Sequence, residues 1–321
     1  MKIALDVMGG DYAPVELLAG AIKWLQESEG QIILVGDQEI INEELRQYSY
    51  DPTRLEIVHA SQVIGMNESP AVALRKKKDA SIVVASRLVK DGMADAIVSC
   101  GSTGAQMAAA IFILGRMQGV ERPPIVAPIP GRGGKPTLLI DVGANVDCRP
   151  VQLLQFALLG QAYARGVLNL DNPRIGLLNN GEEEGKGNNL SIQAYELLRQ
   201  QSGLNFVGNI EGRDLFNSRC DVLVCDGFTG NVLLKALEGM AFFLATGIKE
   251  ELGTIPAAFM QLDYTQIGGA PLLGVNGISV VCHGSSRRET VCNGLKIAAD
   301  SINNKIIDKQ LQELSRLKIE N

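Results

Sequence analysis

Short apolar runs rich in β-branched residues alternate along the chain with stretches in which apolar positions recur every three to four residues. The runs fall at 3–6, 32–35, 55–59, 96–99, 137–141, 175–178, 206–209, 222–225 and 279–282. Consecutive apolar residues without polar alternation suit strands buried on both faces, and the helical patterns between them supply the crossovers that parallel strands need. The pattern predicts an α/β protein with a mostly parallel sheet wrapped by helices. No Ser-rich or Pro-rich linker marks a boundary, so 1–321 reads as a single α/β domain that a cleft can divide into two lobes. Residues 121–136, "ERPPIVAPIPGRGGKP", carry the densest turn signals and predict an irregular crossover or an antiparallel excursion.

The stretch "VLVCDGFTGNVLLKALEG" at 222–239 reads as a buried strand, a polar turn and an amphipathic helix that begins just after Gly230. A turn at a helix N-terminus offers free backbone N–H groups and the positive end of the helix dipole, which attract phosphate or carboxylate. The same turn also reads as an ordinary strand-to-helix loop with an Asp or Thr cap. The spacing recurs in "ADAIVSCGSTGAQMA", where Asp95, Gly101, Thr103 and Gly104 stand as Asp221, Gly227, Thr229 and Gly230 do. The recurrence is a local similarity that favours a shared anion-binding device.

The polar residues collect after the predicted strands: "DVMGGDYAP", "GSTGA", "DVGANVD", "NNGEEEGKGN", "DGFTGN" and "HGSSRRE". Ligands of open parallel sheets bind outside the carboxyl ends of strands, so six loops are expected to share one cleft. Within them Lys186, flanked by Gly185 and Gly187, reads as a point charge for an anion or as a solvated loop lysine. His283 reads as a site residue or as a satisfied structural histidine. Asp6, Asp11, Asp141, Asp147 and Asp226 are oxygen ligands available to Mg²⁺, but no spacing among them defines a metal site. Arg75, Lys76, Lys77 and Lys78, on the first part of a helix following Pro70, read as a solvated face or as a docking surface for an acidic partner.

Composition narrows the classes. A chain of 321 residues that is 46% apolar buries a large core, and its net charge of −6 argues against a broad nucleic-acid surface. No run approaches the ~20 uninterrupted apolar residues of a bilayer span. The longest, 107–114, stops at Gly115 and Arg116. The N-terminus enters a strand at once and lacks a signal-peptide pattern, so the protein is expected in the cytoplasm. The six cysteines show no C-x-x-C spacing and read as reduced and structural, although Cys100 and Cys225 flank the repeated turns. Two histidines, His59 and His283, exclude a His-rich metal site.

Taken in order, "DVMGGDYAP", "GSTGA", "ERPPI", "DVGANVD", "NGEEEGKGN", "DGFTGNVLLK" and "HGSS" resemble the motifs of the phosphate acyltransferase family of bacterial phospholipid synthesis, from the first strand to the final helix. The resemblance implies transfer of a long-chain acyl group from acyl carrier protein to inorganic phosphate. The acyl phosphate product would feed glycerol-3-phosphate acyltransferase. It also implies a homodimer of three-layer α/β/α subunits, related in fold to phosphotransacetylases and to isocitrate and isopropylmalate dehydrogenases. No cofactor and no metal are expected, and membrane contact at the inner face is peripheral at most. Carried over to matching positions, Lys186, His283 and Asn231 are the catalytic candidates. Gly101, Thr103, Gly104, Asn145, Asp226, Thr229, Gly230 and Ser285 are the phosphate- and substrate-binding candidates, and Arg75 to Lys78 the carrier-docking candidates. Two departures stand out: Tyr12 occupies a position where relatives often have histidine, and the segment 249–267 is shorter than their membrane-associated hairpin. Three rival readings are a phosphotransacetylase using acyl-coenzyme A, a dinucleotide-dependent oxidoreductase and a phosphometabolite sensor. "MGGDYA" is not the G-x-G-x-x-G that the oxidoreductase needs.

Overall fold

The computed structural model describes residues 1–131, 134–254 and 268–317. Its strands are β1 (Lys2–Asp6), β2 (Gln31–Gly36), β3 (Leu55–His59), β4 (Ala96–Ser99), β5 (Val126–Ile129), β6 (Thr137–Ile140), β7 (Arg174–Asn179), β8 (Asn205–Glu211), β9 (Val222–Val224), β10 (Ala270–Leu272) and β11 (Ile278–Val281). The α-helices are α1 (Val15–Glu27), α2 (Gln38–Leu45), α3 (Pro70–Lys76), α4 (Ser81–Lys90), α5 (Thr103–Ala109), α6 (Pro150–Val167), α7 (Asn189–Gln200), α8 (Gly227–Leu252), α9 (Arg288–Asn303) and α10 (Ile306–Leu314). They fall into two compact units, one of residues 1–117 with 268–307, the other of 118–254 with 308–317.

The first unit holds a six-stranded sheet of order β10-β11-β4-β1-β2-β3, and the second a five-stranded sheet of order β5-β6-β9-β7-β8. Every pairing is parallel except at one edge of each sheet, where β10 runs antiparallel to β11 and β5 antiparallel to β6. All nine strands expected from the apolar runs are present. The two further strands are these antiparallel edges, of which β10 was not expected. Each is short and carries a proline, Pro128 or Pro271, which an edge strand tolerates because it has a free side. β5 lies within the turn-rich stretch 121–136, and is its antiparallel excursion.

Burial on both faces explains the uninterrupted apolar runs. In the first unit Ala4, Ile33, Val35 and Ile97 pack under Leu74, Ile82, Val83 and Ala105 of α3 to α5. Val98, of opposite parity, faces α9: a Cβ built on Gly294 would lie 3.5 Å from its Cγ1. The sheet is therefore covered on both sides, an α/β/α arrangement.

Two features of α8 differ from expectation. It starts at Gly227 rather than after Gly230, so the whole Gly-Phe-Thr-Gly turn is its first turn, and Asp226 is its N-cap. It also has the length and mean hydropathy of a membrane-crossing helix, which a count of uninterrupted apolar residues missed because the Lys235–Glu238 ion pair interrupts it. Large apolar side chains on it, among them Phe228, Met240, Phe242 and Phe243, are exposed. The expected short segment 249–267 lies for the most part outside the described residues.

Candidate active site

The repeated Asp, directly before β4 and β9, has one structural job in both copies. Asp95 Oδ2 accepts the backbone N–H of Lys2 at 2.7 Å, and Asp221 Oδ2 accepts that of Arg174 at 2.7 Å. Each carboxylate pins the start of the neighbouring parallel strand, and so sets the register in which the polar loops emerge at the other end. Three of the six loops cap the carboxyl ends of the first sheet's strands, and three cap those of the second.

In the first unit β1 ends on Asp6 and β4 on Ser99, both buried and paired in register. Ser99 Oγ donates to Asp6 Oδ2 at 2.7 Å and accepts the N–H of Gly101 at 3.0 Å. Burial pushes the Asp6 carboxyl above the ordinary carboxylate range against these hydrogen bonds. The "DVMGG" and "GSTG" loops touch backbone to backbone: a Cβ on Gly9 would lie 2.8 Å from the Gly101 Cα. Gly101, Thr103 and Gly104 form the entrance of α5, with Ser102 as its N-cap. The neighbouring β11 delivers His283 and Ser285. Ser285 N–H donates to His283 Nδ1 at 3.2 Å and Ser285 Oγ lies 2.7 Å from the same nitrogen. The Arg287 guanidinium stands 4.2 Å from the centroid of the Tyr12 ring, a cation–π contact that the sequence reading did not anticipate.

In the second unit Asp141, directly after β6, is fully buried. It accepts four hydrogen bonds: from Ile125 N at 3.0 Å, Ala144 N at 3.1 Å, Asn145 N at 2.7 Å and Asn145 Nδ2 at 2.9 Å. Burial nevertheless raises its pKa to about 6. Asn145, 3% exposed, spends its amide on Asp141 and on the Pro123 carbonyl, and its own carbonyl accepts the N–H of Gly227 at 2.7 Å. It braces the entrance of α8 from within. Asp226 and Thr229 face each other: Asp226 Oδ1 accepts Thr229 N and its Oδ2 accepts Thr229 Oγ1, each at 2.8 Å. The cap reading of this turn is thus realised. Gly230 is required for contact, since a Cβ there would lie 1.9 Å from the Asp141 carbonyl oxygen. Asn231 is exposed and its side chain lies over Gly143.

The loop after β7 carries Lys186, exposed. Asn179 Nδ2 donates to the Lys186 carbonyl at 3.0 Å and Asn209 Nδ2 to that of Glu183 at 2.8 Å, so two asparagines hold the loop's backbone while the ammonium faces solvent. Asp6 and Asp141, considered as Mg²⁺ ligands from sequence, are occupied by internal donors. The carboxylate cluster that the described residues do gather is Glu182, Glu211 and Asp214, and Arg219 is paired with two of its members. Cys100 and Cys225 are buried beside the turns. A hydrogen bond with Cys282 and burial hold the Cys100 thiol well above its ordinary pKa, and burial followed by the charges of Asp141 and Asp226 does the same for Cys225. Both thiols stay protonated at neutral pH and make poor nucleophiles. Of the four basic residues 75–78, Arg75, Lys76 and Lys78 are exposed, whereas Lys77 Nζ pairs with Glu68 at 2.6 Å.

Solved structures share this fold. A phosphotransacetylase from Streptococcus pyogenes matches with a TM-score of 0.65 at 18% identity, over 94% of each chain. A 4-hydroxythreonine-4-phosphate dehydrogenase from Klebsiella pneumoniae matches with a TM-score of 0.58 at 13% identity, over 93% of this chain and 98% of that one. At such identities the likeness is one of architecture, the dehydrogenase-like α/β class expected from sequence. The chain belongs to the phosphate acyltransferase family: the model described as "Fatty acid synthesis protein" matches residues 1–309. It is 66% identical over 318 residues to the phosphate acyltransferase of Syntrophomonas wolfei, covering 99% of both chains. It is 52% identical over 322 residues to that of Pelotomaculum thermopropionicum, covering 96% of this chain and 93% of the other.

Proposed function

We propose that this chain transfers a long-chain fatty acyl group from acyl carrier protein to inorganic phosphate, forming an acyl phosphate for phospholipid synthesis. Acyl transfer to phosphate rests on the family and its relatives, and the carrier-protein donor on the motif resemblance. The observation that supports the chemistry is the entrance of α5, where Thr103 and Gly104 follow the Ser102 cap, beside buried, protonated cysteines; at α8 the N–H groups of Gly227, Thr229 and Gly230 are already taken by Asn145 and Asp226. Phosphate attacks a thioester carbonyl by itself, and the tetrahedral oxyanion that forms collapses with loss of the thiolate. The protein then has to position phosphate and stabilise the oxyanion with fixed donors. Lys186, His283 and Asn231 are the proposed catalytic groups. Gly101, Thr103, Gly104, Thr229, Gly230 and Ser285 are the proposed substrate-binding groups, with Asn145 and Asp226 shaping the entrance of α8.

The enzyme is proposed to need no cofactor, to act in the cytoplasm and to form a homodimer; the exposed apolar side chains of α8 support the last of these. Its product would be consumed by a glycerol-3-phosphate acyltransferase, and membrane contact is peripheral at most. The donor is tested by comparing palmitoyl carrier protein with palmitoyl-coenzyme A, trapping acyl phosphate with hydroxylamine. Product with the carrier thioester supports the proposal. Product with coenzyme A alone would make the enzyme a phosphotransacetylase, and phosphate binding without product from either would make it a sensor. Lys186→Ala is expected to lower kcat/KM at least about tenfold, roughly 1.4 kcal/mol of transition-state stabilisation. Near wild-type turnover in that variant would remove Lys186 from the assignment.

A further inference from the structure

A groove of about 480 Å³ opens in the first unit between α3 and α4. Its floor is apolar, with Leu74 and Val83 buried beneath it, and Phe112, 68% exposed, stands at its lip. Cations line both banks: Arg75 in the last turn of α3 and Lys78 beyond its C-cap, not on the first part of a helix as expected, and Arg87 and Lys90 one turn apart on α4. Arg87 donates to the Lys78 carbonyl at 3.2 Å, and among the described residues none of the four is paired with a carboxylate. Asp91 is the one acidic residue of the lining. In a chain of net charge −6 this is a local inversion of sign.

The form of the inversion says what it fits. A small anion is held by donors that converge on one point, with at least one of them buried. Here every cation is exposed, and they are spread over two helices and the turn between them, with apolar surface in between. That spacing suits carboxylates distributed along a helix, with an apolar side chain of the same helix seated on Leu74, Val83 and Phe112. We infer that the α3–α4 groove docks an acidic amphipathic helix of a protein partner, with Arg75, Lys78, Arg87 and Lys90 steering it and Phe112 seating its apolar side. Resting on the carrier-protein reading above, the inference makes that partner the acyl donor's protein part. It moves the docking surface from the run 75–78 to the groove, leaving out Lys77, whose ammonium is taken by Glu68.

The test is binding of fluorescently labelled apo carrier protein, which has no acyl group to transfer, to the intact enzyme by anisotropy. Arg87→Glu with Lys90→Glu is expected to weaken binding about tenfold at low salt, an effect that fades near about 0.5 M salt as surface charges are screened. Phe112→Ala is expected to weaken it several-fold at both salt concentrations, because its contribution is apolar. Wild-type binding that neither variant changes would overturn the groove and leave the donor reading intact, since the turnover assay reads that separately. No wild-type binding at all would overturn the groove as well. Charge reversal that spares carrier binding but abolishes co-sedimentation with phosphatidylglycerol vesicles would assign the surface to lipid and sink the protein partner.

Discussion

Gly230→Ala is expected to cost about 3 kcal/mol or more of folding stability, the upper range for overpacking a closed site. The position lies inside the first turn of α8, where alanine is ordinarily preferred to glycine. The added methyl would sit 1.9 Å from the Asp141 carbonyl oxygen and 2.9 Å from the Cys225 sulfur, and neither neighbour is the loose end of a flexible side chain. Relief requires the entrance of α8 to move away from β6, which would also displace Thr229 and Asn231. Gly239→Ala is the internal control, because nothing lies within 4 Å of its Cβ position in the same helix. That change is expected to be neutral or to stabilise by up to about 1 kcal/mol. Urea unfolding of the two variants separates close approach from helix propensity, and equal stabilities would refute the contact.

Asp141→Ala is expected to destabilise by about 3 kcal/mol at neutral pH, since its removal orphans backbone N–H groups of Ile125, Ala144 and Asn145 in a buried site. The cost should depend on pH, with a definite sign. Desolvation raises the folded-state pKa from the ordinary 3.8 to about 6. A raised carboxyl contributes stability that is fully present below the unfolded-state value and is lost as pH climbs through the folded-state value, here between 3.8 and about 6. The wild-type advantage over the alanine variant should therefore be larger at pH 5 than at pH 7, by about 1 kcal/mol. A constant difference would show that Asp141 ionises as an ordinary carboxylate, its four donors offsetting its burial.

The strand pattern was legible because parallel strands covered on both faces must be apolar at every position, and nine such runs appear as strands. β10 escaped because an edge strand of three residues with a proline looks like a turn, and β5 was legible only as an antiparallel excursion within 121–136. The strand-end loops were legible as a set for the same topological reason: polar residues concentrate where buried strands stop. The start of α8 was misplaced because Gly-Phe-Thr-Gly has turn composition, while what makes it helical is the Asp226 side chain bonded to Thr229. Asp6 and Asp141 carried no legible role, since a buried carboxylate and a metal ligand have the same letter. Their hydrogen bonds come from residues as distant in sequence as Ser99 and Ile125. Lys77 is parted from its basic neighbours by Glu68, and Arg87, Lys90 and Phe112 come from later segments, so the α3–α4 groove has no sequence signature.

Inorganic phosphate is the proposed acyl acceptor, with no enzyme-bound acyl group intervening. This is tested most directly by ³¹P NMR of the enzyme with a long-chain acyl thioester and increasing phosphate, with the intact mass of the quenched enzyme read in parallel. An acyl phosphate resonance whose rate of appearance saturates with phosphate is expected, with the mass of the enzyme unchanged during turnover. Release of free fatty acid without that resonance, or an acyl adduct on Cys100 or Cys225, would contradict the proposal.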